Sequence, residues 1–313
     1  MTMTAEDGRA DGVRIGLNGI PLNLPQWPVF PADEQAAAQQ VLASGRVNYW
    51  TGDEGAEFER EFAAWNGTRH ALALANGTLA LELALHAFGI GAGADVVTTP
   101  RTFIASASAV VARGGRPVFA DVDPDSGNIT ADTIRAVLTP ETRAVIVVHL
   151  AGWPADMDAI MELADEHGLV VIEDCAQAHG AEWNGRRVGS IGHAGAWSFC
   201  QDKIMTTAGE GGMLTLNDDA AFERAWSYRD HGKDRQTVFS PPEKPGYRYL
   251  SHTFGTNWRL SEVQAAVGRL QLQKLPGWLE QRRRNALTLT ERFADVPGLR
   301  VPLPEQKHAF YKL

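Results

Sequence analysis

Cysteine is scarce in this chain. Cys175 and Cys200 serve 313 positions, and neither stands in a CxxC pair or at His/Cys ligand spacing. A disulfide framework and a thiolate zinc site are therefore excluded. Positive charge is also short. Lys and Arg number 29 against 38 Asp and Glu, a net charge of −9, and the one basic run, Arg282 to Arg284, reads as a solvated helix face. With no helix-turn-helix pattern beside it, general nucleic-acid binding is not expected. Long apolar runs are missing, so no segment reaches the roughly 20 residues that span a bilayer. The opening "MTMTAEDGRADG" lacks the apolar core of a secretory signal. No GxGxxG follows the first strand and no P-loop pattern occurs, which excludes a dinucleotide dehydrogenase and a P-loop enzyme. Internal repeats and low-complexity tracts are lacking too. These absences point to a cytoplasmic protein.

What is present is a hydrophobic content of 44%, enough for one large domain and a smaller one. Residues 1–12 read as a disordered leader, 13–255 as a large domain, and 256–313 as the start of a small one. A helical pattern from Pro31 to Phe62 is interrupted by the loop "SGRVNYWTGDEG". Seven short apolar runs follow: "HALALA" (70–75), "DVVTTP" (95–100), "RPVFADV" (116–122), "RAVIVVHL" (143–150), "LVVIED" (169–174), "GAWSFC" (195–200) and "GGMLTLN" (211–217). Most are too apolar to alternate, as strands covered on both faces are. Helix-length segments at 78–88, 103–113, 130–138 and 156–167 separate several of them. This order predicts an α/β fold with a mostly parallel seven-stranded sheet. The short link between the last two runs predicts that one of them is antiparallel. After a polar loop at 232–256, one helix is expected over 261–275, with Val263, Val267, Leu270 and Lys274 on one stripe. A second is expected from Trp278 to Ala294, and "HAFYKL" reads as the opening of a strand.

Ligands of such sheets gather at the carboxyl ends of the strands, and three features fall there. In "ALANGTLALELAL", Gly77 and Thr78 open a helix whose free N–H groups suit an anion; the alternative is that Asn76 or Thr78 simply caps the helix. Asp174 ends an apolar strand, where a buried carboxylate needs either a salt-bridge partner or a functional one. Lys203 lies in the glycine-bearing loop of "SFCQDKIMTTAGEGG", near Ser198, where an ammonium can shed its proton and become a nucleophile. Pyridoxal 5′-phosphate accounts for all three. It needs a phosphate cradle, a lysine for its aldehyde carbon and a carboxylate for its ring nitrogen.

The segments "EDCAQAHGA", "IGHAGAWSFCQDK", "TTAGEGG" and "FGTNWRLSEVQAAVGRLQL" resemble the DegT/DnrJ/StrS sugar aminotransferases, of the fold-type I pyridoxal-phosphate superfamily, from about Pro21 to Leu313. The resemblance implies a homodimer with shared active sites. It implies that Lys203 bonds the cofactor and moves protons, that Asp174 pairs with the ring nitrogen, and that Gln177 lies near its O3′. Gly77, Thr78 and Ser198 would hold the phosphate, with Asn257 reaching the partner subunit's phosphate. Phe103 matches a ring-stacking position, with a core phenylalanine as the alternative. Tyr49, Trp50, Arg229, His231 and Lys233 would face substrate; for the last three the alternative is a solvated loop.

The implied reaction moves an amino group from glutamate or glutamine to a keto-sugar, expected to be nucleotide-linked, in amino-sugar biosynthesis for a polysaccharide or antibiotic. Cyclitol and amino-hydroxybenzoate enzymes share these motifs. A same-fold dehydratase would carry histidine at position 203, and a cofactor-binding regulator is the non-enzymatic rival. Members of this family continue for several dozen residues past this point, so the small domain reads as incomplete.

Overall fold

The structure, a computed structural model, describes residues 27–241 and 248–312. The leader expected at 1–12 and residues 242–247 of the polar loop lie outside them. In chain order the strands are β1 (His70–Leu74), β2 (Asp95–Thr98), β3 (Arg116–Phe119), β4 (Thr142–Val148), β5 (Val170–Asp174), β6 (Glu182–Trp183), β7 (Arg186–Arg187), β8 (Ala194–Ser198) and β9 (Gly212–Leu216). The helices are α1 (Ala32–Ser44), α2 (Glu54–Asn66), α3 (Gly77–Ala87), α4 (Ala105–Ala112), α5 (Ala131–Arg135), α6 (Met157–His167), α7 (Asp219–Arg229), α8 (Arg235–Phe239) and α9 (Glu262–Phe293). Each of the seven apolar runs supplies one strand of a single sheet, ordered β1-β9-β8-β5-β4-β2-β3.

Only β9 runs against its neighbours, pairing antiparallel with both β1 and β8. The loop 199–211 holds no helix, and β8 turns straight back into its antiparallel neighbour β9. The other strands all point one way, and their carboxyl ends share one edge. Apolar side chains cover both faces. In β4, Ala144 and Ile146 join the core under α3, α4 and α7, while Val145 and Val147 join the core under α5 and α6. This explains why the run reads as continuously hydrophobic. A third core places Phe58 and Phe62 of α2 against Trp197, Phe199 and Met213.

Three expectations at the C-terminal side are corrected. The two helices are one, running through Pro276. Pro276 lies on an exposed side of α9, where its ring meets least resistance. Packing continues beyond it through Trp278 against Trp27 and Leu279 against Gly180. The expected stripe is also rotated. Ala265, Gly268, Leu272 and Leu275 are buried together with Val267, whereas Lys274 forms ion pairs with Asp33 and Glu34 of α1 at 2.8 and 2.7 Å. The helix is seated on α1 as well as α2, so its covered face is wider than one stripe. Finally, residues 308–312 do not open a strand. Phe310 has φ +50°, and the N–H groups of Ala309 and Tyr311 bond the carbonyls of Gly152 and Ala151 at 2.9 and 3.0 Å.

The β6–β7 hairpin was not among the expected strands. Its turn is Asn184-Gly185, with φ of +48° and +78°, and that dipeptide is the sequence signal for it. Glu262, fully buried at the start of α9, accepts the N–H groups of Glu54 and Gly55 at 2.6 and 3.1 Å. It thereby caps α2 from 208 residues away. Among the described residues no helix is long and apolar enough to cross a membrane.

Candidate active site

The two adjacent acids that end β5 have different tasks. Glu173 is fully buried and accepts N–H groups from Gly189, Ile191 and Gly192 at 2.7, 2.9 and 2.6 Å. His149 Nδ1 accepts the Ala155 N–H at 3.0 Å, so its Nε2 carries the proton and donates to Glu173 at 3.0 Å. Although His149, Glu173 and Cys175 bring ligand atoms together, these bonds make the cluster a clamp on the 189–192 loop.

Asp174 instead accepts from Ser106 Oγ at 2.8 Å and from the Ala176 N–H at 3.1 Å. Burial pushes its carboxyl above the ordinary value. The bonds from Ser106 and Ala176, and then the charge of Lys203, pull it partly back. Asp174 ends β5, and Lys203 follows the end of β8 beside it. The two share the carboxyl edge of adjacent strands, since β5 pairs with β8 through Asp174 and Ala196.

Lys203 follows β8 on a braced loop. The N–H groups of Phe199 and Gln201 bond Gly211 and Gly209 carbonyls at 2.8 and 2.9 Å. Thr206 Oγ1 donates to Phe199 O at 2.8 Å, and Gln271 accepts the Thr206 N–H at 2.8 Å. The lysine side chain is 14% exposed, with its amine 3.5 Å from Asp202 Oδ2 and 5.1 Å from the Tyr311 ring centroid. Its charge also acts on His179, whose ring is pushed down to about 3, mainly by burial.

At the neighbouring strand end Asn76 does cap α3, accepting the Leu79 N–H at 3.0 Å. Gly77 has a separate reason. A Cβ there would lie 2.7 Å from Ser198 Cβ and 3.2 Å from Trp197 O, so only glycine lets the helix start touch the end of β8. Gly77, the partly buried Thr78 and Ser198 thus surround the N-terminus of α3, whose first N–H groups have no partner within the helix. Gln177 gives its side-chain carbonyl to the Ala151 N–H at 2.7 Å, leaving its NH₂ as donor. Phe103, 69% exposed just before α4, is not a core residue. Asn257 is exposed beside Phe254, itself 99% exposed.

The five residues expected near substrate are dispersed differently. Arg229 is fully buried, so it is no part of a solvated loop. It donates to Glu59 and to Ala73 O, the latter at 3.1 Å, and lies 4.8 Å from the Tyr49 ring centroid. Tyr49 donates to Glu59 at 3.0 Å, and burial, then the Glu59 charge, pushes its phenol up to about 12. Lys233 pairs with Asp230 at 3.0 Å and sits 4.2 Å from the Trp50 ring centroid, so it too is engaged. His231 is exposed at φ +57°. No hydrogen bond, ion pair or ring contact joins any of these five to Asp174 or Lys203. Sequence reasoning missed Ser106, Asp202 and Tyr311, which touch Asp174 or Lys203, and no spacing signal announced them.

A cavity of about 350 Å³ adjoins Gln177 through Ala151, lined by Arg101, Trp153, Phe293, Arg300 and Phe310 among others. A second, of about 390 Å³, lies away from these residues between α1, the 44–54 loop and α9.

The model of the DegT/DnrJ/EryC1/StrS aminotransferase family matches residues 29–313. Among curated relatives, a pleiotropic regulatory protein of Geobacillus stearothermophilus is 39% identical, the match covering 93% of this chain and 76% of that protein. The L-glutamine:2-deoxy-scyllo-inosose aminotransferase of Streptoalloteichus tenebrarius is 40% identical, covering 90% and 68%. The dTDP-3-amino-3,4,6-trideoxy-alpha-D-glucose transaminase of Streptomyces venezuelae is 41% identical, covering 87% and 68%. The solved aminotransferase of Psychrobacter cryohalolentis superposes with a TM-score of 0.90 at 54% identity, covering 92% of this chain and 75% of that one.

Proposed function

The chain belongs to the DegT/DnrJ/EryC1/StrS aminotransferase family, and on that premise we propose that it binds pyridoxal 5′-phosphate and aminates a keto-sugar. The amino donor is glutamate or glutamine, and the acting species is a homodimer. The observation that carries the reading is the shared strand edge that brings the buried carboxyl of Asp174 beside the strand leading into Lys203, next to a helix start cleared by Gly77.

The residues present fit the group. Gly77, Thr78 and Ser198 would hold its phosphate at the N-terminus of α3, where the helix dipole favours an anion. Phe103 offers an exposed ring to stack on, and the free NH₂ of Gln177 a donor for a ring oxygen. When bound, the cofactor supplies a ring that takes up the electrons left behind as a substrate α-proton departs. Asp174, as carboxylate, would keep a proton on the ring nitrogen, and the ring's positive charge would offset the cost of burying that anion. Lys203 Nζ would take up the substrate α-proton and give it up again across the substrate nitrogen, at the cofactor's aldehyde carbon, general acid–base work worth about 10²–10⁴-fold. Asn257, exposed on each copy, would complete the phosphate site of the other.

A keto-sugar acceptor is favoured by the Streptomyces venezuelae relative and a cyclitol by the Streptoalloteichus one. The Geobacillus relative supports a regulatory reading. One experiment separates them. Purified protein should absorb in the visible, and the band should bleach on adding glutamate or glutamine and return with a keto-sugar nucleotide. Return only with a keto-cyclitol would move the acceptor assignment, and colour that no amino donor bleaches would favour the regulator. Gly77→Ala should weaken cofactor binding about tenfold by displacing Ser198, roughly the loss of one good hydrogen bond, read by titrating cofactor into the cofactor-free chain.

A further inference from the structure

Two groups beside Lys203 have no task in the chemistry above. Asp202 Oδ2 stands 3.5 Å from the lysine Nζ, and the face of Tyr311 lies 5.1 Å from it. The Tyr311 hydroxyl donates to that same Asp202 oxygen at 2.5 Å. Tyr311 is itself anchored. Its N–H bonds Ala151 O at 3.0 Å, the N–H of Lys312 bonds the same carbonyl at 3.2 Å, and Arg282 holds Phe310 O at 3.3 Å. Because Ala151 N–H also holds Gln177, one line of contacts joins the lysine to the turn that orients the glutamine.

The charges suit this arrangement. Burial would raise the Asp202 carboxyl, but the Tyr311 bond and the Lys203 charge outweigh it, so Asp202 sits below the ordinary value and is an anion at neutral pH. Burial, followed by the bond and the charge of Asp202, pushes the Tyr311 phenol up, keeping it a neutral donor. An ammonium facing both a carboxylate and an aromatic ring is held by two attractions that do not compete for the same direction.

We propose that Asp202 and Tyr311 are positioning residues for Lys203: the carboxylate and the ring face park its amine at the rim of the site, and the tyrosine hydroxyl fixes that carboxylate. The inference rests on Lys203 being the cofactor-bearing lysine. It assigns the C-terminal segment around Tyr311 a place in the site wall. Without the pair the four-carbon side chain would sample many directions, and the amine would meet reagents and cofactor from an unfixed start.

The test uses the full chain freed of cofactor. Trace acetic anhydride labels its amines, and peptide mass spectrometry compares Lys203 with the exposed Lys307 in the same digest. Asp202→Asn should raise the Lys203:Lys307 labelling ratio about two- to fivefold, the effect of losing a largely solvated ion pair. Tyr311→Leu should raise it similarly, Tyr311→Phe less because the ring remains, and Asp202→Glu should restore the starting ratio. A merely structural role would not give rescue by glutamate. Equal ratios in the parent and Asp202→Asn, or a rise with Tyr311→Leu alone, would overturn the positioning role. Circular dichroism shows whether each variant is folded, and Asp202→Asn at an exposed position provides the arm least exposed to misfolding. The visible band of Lys203→Ala keeps the two readings apart. Its loss with unchanged labelling ratios sinks only the positioning role, whereas its survival sinks the cofactor assignment beneath it.

Discussion

Asp174→Asn will lower turnover about 10²–10³-fold, the usual cost of removing one preorganised electrostatic partner, while making the cofactor-free chain more stable. The two effects have one cause. Asp174 is buried, and its carboxyl is raised above the ordinary value of 3.8 because Ser106, the Ala176 N–H and the Lys203 charge only partly offset its desolvation. A carboxyl raised in the folded state favours folding in its protonated form and works against it once ionised. At neutral pH, without a cationic ring to face, ionised Asp174 is therefore a cost. Asparagine keeps the shape and the acceptor for Ala176 and removes the charge. The melting temperature of the cofactor-free variant should rise by about 2–4 °C at neutral pH, the shift that ~1 kcal/mol produces in a large domain. That gain should shrink as the pH falls through the raised value and vanish below the ordinary one, where the parent carboxyl is protonated in both states. Thermal melts across pH, with single-turnover kinetics on the loaded protein, check both halves. A variant that is slower but no more stable would mean that Asp174 is adequately paired without a cofactor.

Arg229→Ala will destabilise the fold by about 3–5 kcal/mol, the range for removing one partner of a buried ion pair. The guanidinium is fully buried and ties together Glu59, the Ala73 carbonyl and the face of Tyr49. Its removal leaves the largely buried Glu59 facing only the Tyr49 hydroxyl and the Ala73 N–H, at 3.0 and 2.9 Å, and opens a cavity in the core. The combination of Arg229→Met with Glu59→Gln separates the two costs. It refills the space and removes the stranded charge, so it should recover at least half of the loss in a urea titration. Recovery with Arg229→Met alone would assign the loss to packing. An unchanged midpoint for Arg229→Ala would show that the triad does not stabilise the fold and leave a role at the substrate as its task.

The sheet was legible because its strands are buried on both faces. Val145 and Val147 read as one unbroken run with Ala144 and Ile146 although they face opposite helices. The placement of Asp174 and Lys203 at the strand ends was legible for a related reason, since a carboxylate and an amine interrupt apolar runs that otherwise stay closed. What could not be read depends on distance along the chain. Glu262 caps α2 across 208 positions, and Tyr311 meets Asp202 across 109. Neither pairing leaves a local pattern. The solvated-loop alternative for Arg229 fails because its partner Glu59 lies 170 residues earlier, so nothing near "YRDHGK" announces a buried ion pair. Pro276 reads as a helix end because propensity sees the missing N–H and not the flanking Trp27 and Gly180 contacts that carry α9 past it.

Borohydride reduction of the purified protein, followed by peptide mass spectrometry, tests most directly whether Lys203 carries the chemistry. Reduction freezes any bond between an amine and the cofactor's aldehyde carbon, so the adduct stays with its lysine through digestion. The mass of a phosphopyridoxyl group is expected on the peptide containing Lys203, and on no other. Its appearance on a different lysine, or its absence from a protein saturated with pyridoxal 5′-phosphate, would contradict the assignment.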